Sequence, residues 1–145
     1  MIKTDREYQE AKKRLESEFK STDNQRAKLK KSGLDKDQIK LALDPLISFA
    51  HQLKEEVEEY ERLKRGDFSA LDNLHGIGRM LVALRIFRGM KQTELAQKLG
   101  VTDSQISRDE ANEYFGASIE KIQKVLEAMH VTLKTTVEHP FSKAG

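Results

Sequence analysis

An apolar repeat near the middle of the chain restricts its fold more than any other feature. Ile39, Leu43, Leu46, Ala50, Leu53, Val57 and Tyr60 follow one another at intervals of 4, 3, 4, 3, 4 and 3 residues, the a/d spacing of a heptad seam. A helix with so narrow an apolar stripe is not stable alone and must lay that stripe against a partner. Asp44-Pro45 sits inside the repeat, where Pro removes a backbone donor and its predecessor avoids the α region. The seam keeps its phase across the Pro, so we read one helix, kinked there and ending near Arg65. A partner exists upstream: Tyr8, Ala11, Leu15 and Phe19 recur at helical spacing and predict a helix from Asp5 to about Phe19. The seam can pair with that helix or with a second chain. Between the two, "STDNQRAKLKKSGL" is rich in cations and poor in apolar residues, and reads as a solvated connection or a frayed helix end. Glu55, Glu56, Glu58, Glu59 and Glu61 read as a solvated face, since no His follows any of them by three or four residues to complete a di-iron pattern.

Composition narrows the function classes. The 145 residues include no Cys, which excludes disulfide scaffolds, thiol catalysis and Cys-ligated metals and suggests a reducing compartment. The start of the chain carries four charges in "IKTDRE", and nowhere do 18 apolar residues run together, so the expectation is a soluble cytoplasmic protein with no membrane partner. Lys and Arg number 26 against 24 Asp and Glu, a net charge of only +2. The total therefore gives no support for nucleic-acid binding, and such a role must rest on local pattern.

A change of texture at "RGDFSALDN", residues 65–73, divides the chain. Beyond it, short helices are predicted. Ile77, Leu81 and Leu84 form one stripe that stops at Gly89, and Gln92 to Leu99 buries Leu95, Ala96 and Leu99. Gly100 then turns the chain, and Thr102 with Gln105 three residues later predicts a capping box opening the next helix. Two short helices joined by a tight Gly turn form a helix-turn-helix. The small Ala96 permits their close crossing, and Ile106 is the apolar anchor of the second.

"IGRMLVALRIFRGMKQTELAQKLGVTDSQIS", followed by "SIEKIQKVLEAMHV", resembles the five-helix DNA-binding domain of the lambda-repressor and Cro-like (Xre) regulators, over about Gly76 to Val131. The resemblance implies that Gln92 grips a phosphate and steadies base contacts, and that Thr102, Asp103, Ser104, Gln105 and Arg108 form the exposed face of the recognition helix. On chemistry alone, Arg108 could contact guanine bidentately, Gln105 could read adenine and Asp103 could accept from cytosine. An acid in a first helical turn is equally explained by the helix dipole, which is the reading we prefer for Asp103. Three positions depart from the family pattern. Lys91 replaces the usual hydroxyl cap, which weakens that helix start but adds a candidate phosphate contact. Asp109 replaces a large apolar residue, leaving Tyr114 and Phe115 as alternative anchors. His130 replaces the closing Gly and reads as structural.

From Arg79 to Arg108 there are six cations (Arg79, Arg85, Arg88, Lys91, Lys98, Arg108) against Glu94 and Asp103, a local excess of four. Positive charge thus gathers where phosphates would lie. Beyond the last helix, Val131, Leu133, Thr135 and Val137 alternate with polar residues and predict a β-strand. A lone strand invites pairing with the same strand of a second copy, so these four residues are expected to build a homodimer.

Catalytic patterns are weak. Ser17 and Ser118 each fit S-x-x-K without the companion motifs, Glu127 to His130 fits E-x-x-H only once, and His51, His75, His130 and His139 are scattered. The expected class is mainly α. A coiled-coil-like helical hairpin occupies 1–66, for dimerisation or partner binding, and a helix-turn-helix domain occupies 67–131. A C-terminal strand and tail occupy 132–145. The expected function is a non-enzymatic, cofactor-free transcriptional regulator, a repressor, binding double-stranded DNA at a two-fold operator. A small domain of this kind with a helical extension also resembles toxin-neutralising antitoxins of the HigA type, which would imply a toxin partner. The alternative is a protein-interaction module that uses the 39–60 seam, with the helix-turn-helix only structural.

Overall fold

The computed structural model describes residues 1–138 and contains six helices and, among the described residues, no strand. Two long helices, α1 (Asp5–Lys31) and α2 (Lys36–Lys64), form an antiparallel hairpin. Four short ones follow: α3 (Ile77–Phe87), α4 (Gln92–Leu99), α5 (Asp103–Ala111) and α6 (Ile119–Ala128).

Both hairpin helices start on capping boxes. The Thr4 hydroxyl accepts from the Glu7 N–H at 3.2 Å while the Glu7 carboxylate accepts from the Thr4 N–H at 3.2 Å. Asp35 and Gln38 repeat the exchange at 2.9 and 3.1 Å, which satisfies donors that every helix start leaves free. The first helix runs twelve residues beyond Phe19, so the cationic segment expected to be a connection is helical as far as Lys31. The reason lies in the stripe. Phe19 is about half exposed, whereas Thr22 is buried and Leu29 half-buried. The contact row therefore passes through Tyr8, Ala11, Leu15, Glu18, Thr22 and Leu29, with polar residues where a seam normally carries apolar ones. Lys, Arg, Gln and Ala between them are good helix formers.

Helix α2 is continuous through Pro45. Pro45 and Leu41, whose carbonyl loses its helical donor, both lie on the solvent side, where water can satisfy that oxygen. The seam faces α1 of the same chain: Ile39, Leu43, Ala50, Val57 and Tyr60 are buried, and Leu46 and Leu53 half-buried.

The core runs from the end of this hairpin into the short helices. Ile2, Val57 and Tyr60 pack in one cluster with Leu81, Val82 and Ile86 of α3, Leu95 and Ala96 of α4, Ile106 of α5, Tyr114, and Val125 and Met129 at the end of α6. At the junction the Tyr8 and Tyr60 rings stack with centroids 5.0 Å apart, and the Tyr60 hydroxyl donates to Asp5 at 2.8 Å. Lys64 reaches the same carboxylate at 2.7 Å. Lys64, then Tyr60, hold the Asp5 carboxyl below its ordinary value, while burial, then Asp5, push the Tyr60 hydroxyl well above the usual phenol range.

Two expectations fail here. The segment 131–138 is irregular, and no strand forms from Val131, Leu133, Thr135 and Val137. Alternation supplies a strand with a face but not with an edge to pair on, and every element among the described residues is helical. Of the five short helices that the family resemblance implies, four are present. The chain leaves α6 at Met129 and His130, which adopts the left-handed conformation (φ 55) that the missing Gly would have taken. The last seven residues, including His139 and half of the expected 132–145 strand and tail, lie outside the described residues.

Candidate nucleic-acid interface

The turn between α4 and α5 follows the local chemistry of the sequence. Gly100 adopts φ 67, ψ 31, a left-handed conformation that costs a residue with a Cβ about 1 kcal/mol or more. The Thr102 hydroxyl accepts from the Gln105 N–H at 3.2 Å and opens α5. Ala96 and Ile106 are almost fully buried where the two helices cross. The reciprocal half of the expected capping box is absent. Instead, the Gln105 amide donates to Asp109 at 2.9 Å and its carbonyl oxygen accepts from Arg108 at 3.1 Å. Gln105 and Arg108 are thus held together on one face of α5, and one donor and one lone pair of the Gln105 amide are already engaged. Asp103, Ser104 and Arg108 are exposed, and Asp103 stands in the first turn, where the dipole favours it.

Gln92 opens α4 but is less free than the resemblance implies, because its amide donates to Glu110 at 2.7 Å. Lys91 directs its backbone N–H to Glu94 at 2.9 Å, leaving its side chain exposed beside the start of α4. Anchoring of α5 also differs from expectation. Tyr114 is buried, and burial, then Glu110 and Asp109, raise its hydroxyl well above the usual range. Phe115 is 86% exposed and anchors nothing. Asp109, in the apolar position of the family pattern, pairs with Lys121 of α6 at 2.8 Å.

Beneath this surface lies a feature that the sequence reading missed. Arg85 of α3 and Glu110 of α5 form a buried ion pair; the guanidinium reaches the two carboxylate oxygens through Nε and, at 2.8 Å, through Nη2. Nη1 also donates to the Met90 carbonyl at 2.8 Å and Nη2 to that of Lys3 at 2.9 Å. Glu110 is fully buried and also accepts from Gln92, so three helices and the N-terminal segment meet at one pair of charges. A signal was present: Glu110 is one turn from the inward Ile106 and Arg85 one turn from Leu81, so each shares a buried face.

The pair also corrects the charge count. Arg85 is neutralised inside the protein, and Arg79 binds Glu59 at 3.0 Å and Glu113 at 3.7 Å. Four of the six cations, Arg88, Lys91, Lys98 and Arg108, remain exposed against the same two acids, and Arg88 also donates to the His130 carbonyl at 2.6 Å. The local excess is therefore about half of that counted along the sequence.

Ser118 caps α6 by accepting from the Lys121 N–H at 3.1 Å. Among the described residues, no three His, Asp or Glu side chains are grouped to hold a metal, and no helix is long and apolar enough to cross a membrane. No curated protein and no solved structure matches the chain. Residues 81–135, less than half of the chain and running from within α3 to beyond α6, match a family model described as helix-turn-helix.

Proposed function

We propose that the chain is a sequence-specific regulator of transcription that binds double-stranded DNA as a homodimer and acts as a repressor. The observation that carries this reading is the α4–Gly100–α5 unit. Its inner side is seated by Ala96 and Ile106, while its outer side presents Ser104 and Arg108, with Lys91 and Lys98 on the preceding helix. Cations on the helix ends contact phosphates and set the register, and the exposed face of α5 meets base edges in the major groove. Gln105, held between Arg108 and Asp109, positions the Arg108 guanidinium as much as it reads a base. Thr102 serves as the cap, and Asp103 complements the dipole. The 39–60 seam is covered by α1 of the same chain, which favours this reading over one in which that seam docks a partner.

Selection from a random duplex library tests it. A two-fold symmetric sequence should be enriched, with half-sites about one helical turn apart, and light scattering of the complex should give two chains per duplex. Failure to enrich any sequence overturns the proposal. Arg108→Ala should cost about 1–3 kcal/mol on the enriched duplex and relax the preference at one base position. Unchanged binding would remove Arg108 from the reading face.

A further inference from the structure

The N-terminal segment, the end of α2 and the start of α4 enclose an open cleft of about 280 Å³. Its wall carries Lys3, Arg6, Lys64, Arg85 and Lys91 and a single carboxylate, Asp5. Arg85 is neutralised by Glu110 beneath the floor, and Lys64 shares Asp5 with the Tyr60 hydroxyl. Among the described residues Arg6 is engaged only by Glu10, at 2.9 Å in a solvent-exposed i,i+4 pair that a phosphate can displace. The Lys3 and Lys91 ammonium groups form no ion pair among the described residues, although the backbone N–H groups of the same residues donate to Glu7 and Glu94 at 2.8 and 2.9 Å. The cleft opens beside Lys91 and Gln92, where the candidate interface begins.

Resting on the reading above, we propose that this cleft is a second contact for the DNA backbone. It takes a phosphodiester flanking the major-groove contacts, so that the hairpin and the helix-turn-helix share one DNA-binding face. The backbone that carries Lys3 is held in position before DNA arrives. Arg85 binds the Lys3 carbonyl at 2.9 Å with the same Nη2 that binds Glu110, and Glu110 in turn holds Gln92 at 2.7 Å. One buried charge pair therefore fixes the distance between the first residues of the chain and the first turn of α4. Two cations from outside the matched segment, Lys3 and Arg6, and a third at the end of α2, Lys64, stand on the rim. Phosphate contacts of this kind add affinity and salt dependence without reading sequence.

The test uses the full chain and the duplex enriched by selection, with the dissociation constant followed against salt. In the triple variant Lys3→Gln, Arg6→Gln, Lys64→Gln, the slope of log K against log salt should become shallower by roughly two to three, about 0.9 per lost contact. The enriched sequence should stay the same. Since Lys64→Gln leaves Asp5 without its cation, Lys3→Gln, Arg6→Gln serves as a second variant, with a change of roughly two. A slope unchanged in both variants, while the parent chain still selects its sequence, overturns this inference alone; failure of the parent to select any sequence overturns the underlying reading. Equal loss in a distant control, Lys13→Gln, Lys20→Gln, Lys30→Gln, overturns the inference by assigning the effect to net charge. Inorganic pyrophosphate raising the melting temperature of the parent but not of the triple variant, with an unchanged DNA slope, makes the cleft a small-anion site and equally overturns it.

Discussion

The hairpin and the helix-turn-helix are both all-helical, yet they are held together in opposite ways. Along the outer hairpin two long helices meet on a row that alternates apolar residues on α2 with Glu18 and Thr22 on α1, and most other side chains are charged and exposed. Among the short helices each element is 8 to 11 residues long, too short to be stable alone. They persist because Leu81, Val82, Leu95, Ile106, Val125 and Met129 are almost wholly buried around one ion pair. Long helices with good local helix preference need only the one seam between them in the first region, whereas the short helices of the second depend on packing from several sides.

The largest expected effect attacks the packed region at its charge pair. Glu110→Ala leaves Arg85 buried and unpaired and should cost about 3–5 kcal/mol of stability; a loss below about 1 kcal/mol in denaturant unfolding would show that the region does not depend on the pair. Next in size is Gly78→Ala. A Cβ there would lie 1.7 Å from the Glu113 carbonyl oxygen, and shifting that backbone should cost about 1–3 kcal/mol, visible as a lower melting temperature. An unchanged melting temperature would mean that α3 and the turn after α5 can slide apart freely.

In the hairpin the expected change has the opposite sign. Thr22 is buried on the seam with its hydroxyl returned to the Glu18 carbonyl at 2.8 Å, so Thr22→Val should stabilise by about 0.8 kcal/mol, the value of one buried methyl group. Destabilisation of that size would instead show that the polar seam residue is needed. The smallest effect belongs to Asp5 at the junction. Its carboxyl is held below the ordinary value by Lys64 and Tyr60, so its contribution is present above the ordinary carboxylate value and lost as the pH falls through the lowered one, below about 4. Exposure keeps it to about 0.5 kcal/mol or less. Melting curves of the parent and of Asp5→Asn should differ at neutral pH and converge in acid.

What could be read from the sequence follows the range of the forces involved. The bounds of α4, the Gly100 turn and the Thr102 cap depend on residues within one turn of each other, and the structure places them where the pattern does. The length of α1 was not legible, because Glu18 and Thr22 sit at contact positions that only an apposed helix reveals. The tail misled for a related reason: alternation over Val131 to Val137 is local, whereas a strand needs a second edge. Arg85 counted as a surface cation until Glu110, 25 residues away, was brought against it.

By itself the sequence determined that the chain is mainly helical, that one long helix carries an apolar seam in need of a partner, and that a helix-turn-helix follows, since caps, turns and apolar periods act over a few residues. Only the tertiary structure decided which charges face solvent and where the first residues lie. Ion pairs and buried hydrogen bonds depend on distances between elements far apart in the chain. That is why Arg85 sank into the core, while Lys3, Arg6 and Lys64 came to stand beside the start of α4.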